Sequence, residues 1–354
     1  MSVIAVINQK GGCGKTTSVI NLGAALAEGR KRVLLVDMDP QGHCGLGLGI
    51  AKDQLEFSMA DALEGRVDLA KVIHKVDSRL HVAPSNIYLA GFEHRFSGRT
   101  DRESQLKQKL QSYRYEYDYI LIDCPPNLGL LTINAMVASD AMVVPVEPSA
   151  FSIDGAQRME HIIRFLSKNL SFQAQYRLLV TQDDRSRLSK KLIMELQTQF
   201  PQNMFQSVIR KNISLKEAAV AKTHVLGYAP ASFGARDYLV LAKEIAGWLA
   251  QPLLPKINHM KTPAKEFTEV CLRFFDPKAG QVQVAGDFNN WTPSPTYQML
   301  KMADGHFATV IPLKSGRYRY KFVVDGQWVV DPANPQKEAN TFGEYNSVLA
   351  VDAP

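Results

Sequence analysis

Lys10 and Lys15 bracket a stretch in which three of the four intervening residues are glycine, QKGGCGKTT over 9–17. Glycines so placed let successive backbone N–H groups converge on one anion, and Lys15-Thr16 opens a run of helical spacing whose first turn adds further donors. This is the chemistry of a phosphate-holding loop. The strict form, G-x-x-x-x-G-K-[ST], would place glycine where Gln9 stands, and it leaves Lys10 without a role. Lys10, Gly11, Gly12, Cys13, Gly14, Lys15, Thr16 and Thr17 are the candidate ATP-contacting residues. Two acidic stretches follow apolar runs further on: Asp37-Met38-Asp39 after RVLLV, and Asp123 at the end of YILID. In an open sheet such strand ends face the ligand crevice. There the Thr16 hydroxyl is expected to ligate Mg²⁺ directly, Asp123 to hold it through water, and Asp39 to orient a water toward the γ-phosphate. Lys15 and Asp39 are candidate catalytic groups.

The elements that must position these residues are legible as alternation. Short aliphatic runs (VIAVI, RVLLVD, YILID, AMVVPVEP, RLLVTQ, SVIRKN) are separated by helical patterns such as TTSVINLGAALAEG and RLSKKLIMELQTQF. Unbroken apolar runs suit strands buried on both faces, so an α/β fold is expected, with a mostly parallel, doubly wound sheet. A chain of 354 residues exceeds what one core usually organises, and two domains are expected. We divide it into an ATPase domain over 1–250, a proline-bearing linker over 251–268 and a strand-rich module over 269–354. Apolar content of 45% and charged content of 21% exclude a disordered or fibrous chain. No apolar run approaches the roughly 20 residues of a membrane span and no leader precedes the first strand, so a cytoplasmic protein without a membrane partner is expected. The helical stretch 237–254, with Trp248, reads as a docked core helix rather than a membrane anchor. The four cysteines are scattered without a C-x-x-C pair, which signals neither zinc nor a disulfide framework. A net charge of +6 is compatible with nucleic-acid binding without demanding it.

KGGCGKTT, LLVDMDPQG, ILIDCPPNLGLLTINAM, LAGFEHRFSGRTDRESQLKQKL and SVIRKNISLKEAAVAKTH together resemble the ParA/MinD family of deviant P-loop ATPases, over roughly residues 1–250. The resemblance implies a catalytic role for Lys10 beside Lys15 and Asp39: two ATP-bound protomers face each other, and each inserts this lysine toward the other's phosphates. It also implies an ATP-dependent homodimer, slow MgATP hydrolysis stimulated by a ParB-like partner, and nucleotide contact at Asn212. ParA proteins proper bind DNA without sequence preference through late basic side chains, for which Lys211 and Lys216 are candidates, together with Lys190 and Lys191. Here Ser214 stands where the family's DNA-contacting arginine falls.

The C-terminal stretch contains RYRYKFVVDGQWVV, whose Asp325-Gly326 signals a type I′ hairpin. Pairing outward from that turn sets Val323 opposite Trp328 and Lys321 opposite Val330, with Tyr318, Tyr320, Phe322 and Val329 on one face. Arg317, Arg319, Lys321, Val323 and Trp328 then share the other face, where tryptophan forms an aromatic platform beside cations. Together with GDFNNW at 286–291, the hairpin resembles the glycogen-binding module of AMP-activated kinase β subunits, family 48 of carbohydrate-binding modules. This implies a small all-β immunoglobulin-like sandwich that contacts α-glucan through Trp291, Lys321, Trp328, Phe342 and Asn346, or serves as a protein-docking surface. The resulting expectation is a ParA-type ATPase that positions or segregates a cargo. The alternative is a glycogen-sensing regulatory protein whose ATP cycle only sets oligomeric state.

Overall fold

The computed structural model describes residues 1–170, 172–173, 175–250, 268–294, 297–301, 305–340 and 343–352. The linker residues 251–267, and the candidate glucan contact Phe342, lie outside them. Eight strands form the first sheet: β1 (Ser2–Val6), β2 (Val33–Asp37), β3 (His74–Lys75), β4 (Leu80–Ala83), β5 (Tyr119–Asp123), β6 (Ala141–Val146), β7 (Gln175–Asp183) and β8 (Met204–Arg210). Their spatial order is β3-β4-β2-β5-β1-β6-β7-β8, parallel throughout except for the antiparallel edge strand β3. The alternation of side chains along each strand feeds two cores. Val3, Ala5, Leu34, Val36, Ile120 and Ile122 pack on one side, and Ile4, Val6, Val33, Leu35, Tyr119 and Leu121 on the other. Burial on both faces is why these strands read as continuous apolar runs.

Strand β4 (LHVA) was not expected from the sequence, although it pairs along β2 from Val33↔Leu80 to Val36↔Ala83. Its run is too short, and His81 too polar, to stand out. Helix Lys15–Glu28 lies within one residue of expectation at each end. Helix Phe233–Ala250 starts earlier than expected and buries Trp248 edge-on against Phe205, as a core helix does. On helix Arg187–Gln199, Leu192 and Leu196 are buried but Leu188 is 64% exposed. Ser189 takes the inward position instead, its hydroxyl donating to Asp183 Oδ1 at 2.6 Å.

The remaining strands form an all-β unit: β9 (Thr268–Phe275), β10 (Val282–Gly286), β11 (Leu300–Lys301), β12 (His306–Leu313), β13 (Gly316–Val324), β14 (Gln327–Val329), β15 (Lys337–Ala339) and β16 (Tyr345–Val351). One sheet runs β10-β13-β16-β15 with β14 on β13, the other β11-β12-β9. Leu272, Phe274, Val282, Val284, Phe307, Ile311, Tyr320 and Phe322 fill the space between the sheets. The hairpin register is as the turn dictates, Val324↔Gln327, Val323↔Trp328 and Phe322↔Val329. Asp325 and Gly326 both have positive φ, 48° and 87°, as a type I′ turn requires. The ladder ends at Val329, so the expected pairing of Lys321 with Val330 does not form.

Candidate nucleotide and glucan sites

The phosphate loop is built by its neighbours as much as by its own glycines. Gly12 and Gly14 adopt φ of 73° and 89°, a region that side chains disfavour. The Thr181 hydroxyl donates to the Cys13 carbonyl at 2.8 Å and the Gln182 amide to the Gly12 carbonyl at 2.6 Å, so the end of β7 braces the loop. Neither brace was anticipated, because nothing in RLLVTQDD says where it lands. Gly14, which precedes helix Lys15–Glu28, carries no side chain to cap it. The first N–H groups therefore face the crevice without an internal acceptor, as an anion site needs.

Lys15 is buried and its ammonium spans the loop to the Lys10 carbonyl at 3.2 Å. Lys10 turns the other way. Its ammonium lies 2.7 Å from Glu147 Oε2 and 3.4 Å from the Ser149 hydroxyl, beyond the end of β6, with 48% of the side chain exposed. Glu147 and Ser149 were missed as partners of Lys10, since they stand more than a hundred residues away in sequence.

The carboxylates gather at adjoining strand ends. Asp123 pairs in register with Val6 and with Asp37, placing both acids beside the loop that leaves β1. Asp37 accepts the N–H groups of Asp39 at 3.0 Å and Cys44 at 3.0 Å, and so shapes the following turn. Half-buried Asp39 accepts the Gln41 N–H. Asp123 is fully buried, and neither of its carboxylate oxygens has a hydrogen-bond partner among the described residues. Burial drives the Asp123 carboxyl well above the usual range; the Thr16 hydroxyl and Lys15 oppose that shift, while the Asp39 charge adds to it. Burial, then the Asp123 charge, likewise raises Asp37. An orphaned buried carboxylate beside a threonine hydroxyl and a phosphate loop is a donor set that fits Mg²⁺.

Asn212 caps helix Ile213–Val220, its Oδ1 accepting the Ser214 N–H at 2.8 Å. Lys190, Lys191, Lys211 and Lys216 are exposed. Arg210, by contrast, is bound to Asp237 and stacked over Phe233 at 4.2 Å.

In the sandwich, Trp291 and Trp328 stand together, ring centroids 6.2 Å apart and tilted by 39°, with Trp328 46% exposed. GDFNNW constructs this pair one residue at a time. Gly286 is required because a Cβ would meet the Arg319 carbonyl at 2.4 Å. Asp287 accepts the Trp291 indole N–H at 3.0 Å and pairs with Arg319. Phe288 packs on Tyr297 and Tyr318. Asn289 accepts the Gly286 N–H and donates to the Val284 carbonyl. Asn290 and Trp291 are then turned to φ of 52° and 56°, a backbone that a bulky residue adopts only when its surroundings impose it. The expected charged face of the hairpin is only partly open. Arg317 and Arg319 are exposed, but Lys321 is 5% exposed, with its ammonium on Glu344, and Val323 is buried with it. Asn346 is also buried, and its side-chain oxygen accepts from Asn340 at 3.3 Å.

Fold and loop together define a P-loop nucleotide-binding protein carrying a β-sandwich. Residues 1–176 match the model of an AAA domain, and residues 271–354 match the glycogen recognition site of AMP-activated protein kinase. The sporulation initiation inhibitor protein Soj of Bacillus subtilis is 42% identical over 247 residues, 69% of this chain and 98% of that protein. The chromosome partitioning protein ParA of Myxococcus xanthus is 35% identical over 69% of this chain and 87% of its own length. Among solved structures, cobyrinic acid a,c-diamide synthase of Mycobacterium smegmatis, with bound ADP and magnesium, superposes with a TM-score of 0.63. That match has 30% identity and covers 73% of this chain and 99% of the synthase. The chain belongs to the ParA/Soj family of P-loop ATPases, with a glycogen-recognition module at its C-terminal end. No helix among the described residues is long and apolar enough to cross a membrane.

Proposed function

We propose that this chain is an ATP-driven dimerisation switch that positions or segregates a cargo in the cytoplasm, with its C-terminal module attaching the switch to α-glucan. The observation that carries this reading is the opposed orientation of the two lysines. Lys15 folds into its own loop, whereas Lys10 turns away from that loop onto Glu147, from which it can be released toward a second protomer's nucleotide. When bound, MgATP supplies the phosphoryl group that passes to water. Lys15 and the N–H groups of Gly11 to Thr17 bind the phosphates, Thr16 and Asp123 hold the cation, and Asp39 orients the attacking water. Lys10 of the opposing protomer shares the phosphate charge, so phosphate loss removes what holds the two together. A ParB-like protein stimulates the slow hydrolysis, and exposed Lys211 and Lys216 give the dimer a non-specific grip on DNA phosphates. Trp291 and Trp328 supply the stacking surface for glucose rings, with Lys321 and Asn346 beside them.

Asp39→Ala is expected to bind MgATP, to lose about a hundred-fold or more in turnover, and to accumulate as a dimer in sedimentation; Lys15→Ala should bind no ATP. An Asp39→Ala chain that stays monomeric with MgATP overturns the switch. A second reading, a glycogen sensor whose ATP cycle only sets oligomeric state, draws support from the packing of the sandwich directly against helix Ser152–Asn169. A change in ATP turnover on adding glycogen favours the sensor, and cargo movement without glycogen favours the switch.

A further inference from the structure

The β-sandwich rests on the ATPase beside the two segments that carry its phosphate-site groups. On helix Ser152–Asn169, the Arg158 guanidinium lies 4.5 Å from the Tyr297 ring centroid and donates to its hydroxyl at 3.2 Å. Arg102, 3% exposed, donates to the Lys301 carbonyl at 2.8 Å. Beside the Arg158–Tyr297 contact runs an apolar crevice, with Ile162 and Phe165 on the ATPase side and Val310 and Ile311 of β12 on the other, and Gln9 and Leu128 at its walls. Gln9 is the chain neighbour of Lys10. Leu128 belongs to the segment joining Asp123 to helix Leu130–Ala138.

The segment carrying Gln9 is itself fastened in the arrangement that keeps Lys10 at home. Asn8 donates to the Pro145 carbonyl at 2.6 Å and accepts the Lys10 N–H at 3.0 Å, and the Lys10 ammonium closes on Glu147 two residues beyond Pro145. To reach an opposing nucleotide Lys10 must leave Glu147, and the module lines the same crevice as the residue next to it.

We propose that the docked sandwich is an autoinhibitory contact: by closing the crevice that Gln9 and Leu128 line it favours the unpaired chain, and it must shift before two ATP-bound protomers close. This rests on the pairing reading above. The coupling is reciprocal, so ATP-driven pairing loosens the module as much as the module opposes pairing. The device belongs to this fusion, because it needs both the phosphate loop and the sandwich in one chain.

The test uses the full-length chain in the Asp39→Ala background. Tyr297→Ala on the sandwich and Arg158→Ala on the helix should each tighten the MgATP-dependent dimer about five-fold or more in sedimentation, the lower end of ordinary coupling between sites, and leave ATP affinity below the dimerisation range unchanged. Tyr297→Phe, which keeps the ring and loses only the hydroxyl, should give a smaller shift in the same direction and guards against a misfolded module. Hydrogen exchange at 309–311 should be slow in the unpaired chain and faster once MgATP is added. A dimer of unchanged or weaker affinity in all three variants overturns the autoinhibitory contact while leaving the switch intact. A parent that forms no dimer removes the ground for both.

Discussion

Asp37 and Asp123 stand at the ends of neighbouring strands, both buried, and they resolve the same problem differently. Asp37 is satisfied by two backbone N–H groups, which makes it a positioning residue for the turn that holds Asp39. Asp123 has no such donors, so its charge awaits a cation. From this we predict opposite effects of Asp123→Asn in two measurements. Without nucleotide, and above the raised Asp123 pKa of about 7 where its carboxyl is ionised, the variant should melt higher, since a buried unpaired charge has been removed. Its Mg²⁺ affinity in the presence of ATP should fall about ten-fold or more, as expected for a group acting on the ion through water. Equal melting temperatures and equal Mg²⁺ affinity would contradict both assignments.

Helix ends carry a further consequence. His224 caps the short helix Val225–Tyr228, its Nδ1 accepting the Gly227 N–H at 3.0 Å, which requires the neutral ring. Burial pushes its pKa below the usual value, and burial does the same for His81, whose Nδ1 lies 2.8 Å from the Tyr117 hydroxyl. A histidine with a depressed folded-state pKa gives stability that is fully present above its unfolded value of about 6.5 and is lost as pH falls below it toward the folded value. Thermal stability should therefore decline between about pH 6.5 and pH 5. His224→Asn, which keeps a capping side chain without a titrating ring, should make that decline shallower, with the His81 contribution remaining. An unchanged slope would show that the cap does not couple to protonation.

Across the whole molecule, the two sheets of the sandwich divide the work. The β11-β12-β9 sheet faces the ATPase through Val310 of β12, whereas Trp328 lies on β14 of the opposite sheet and stays exposed. The docked face and the exposed tryptophan pair thus lie on different faces of one module, and each can be perturbed separately. Trp328→Ala is predicted to reduce co-sedimentation with glycogen about ten-fold and to leave basal ATP turnover unchanged, because it removes a stacking surface outside the core. Glycogen binding unaffected by that substitution would assign the tryptophan pair to protein docking instead.

Local chemistry made much of this readable from the chain alone. Glycines before Lys15 open backbone paths that other residues disfavour, a six-residue aliphatic run has to be buried on both faces, and Asp-Gly between alternating residues fixes a hairpin register to the residue. Where side chains from distant segments decide the outcome, the sequence was silent. The partners of Lys10 at Glu147 and Ser149, the bracing of the loop by Thr181 and Gln182, the burial of Lys321 against Glu344 and the short strand β4 all depend on pairings across more than twenty residues. Turn and period are properties of neighbouring residues, so the local order of the sequence carries them. Which carboxylate meets which ammonium, and which face of the sandwich rests beside Gln9, is set only once the packing of two cores has brought remote stretches of chain together.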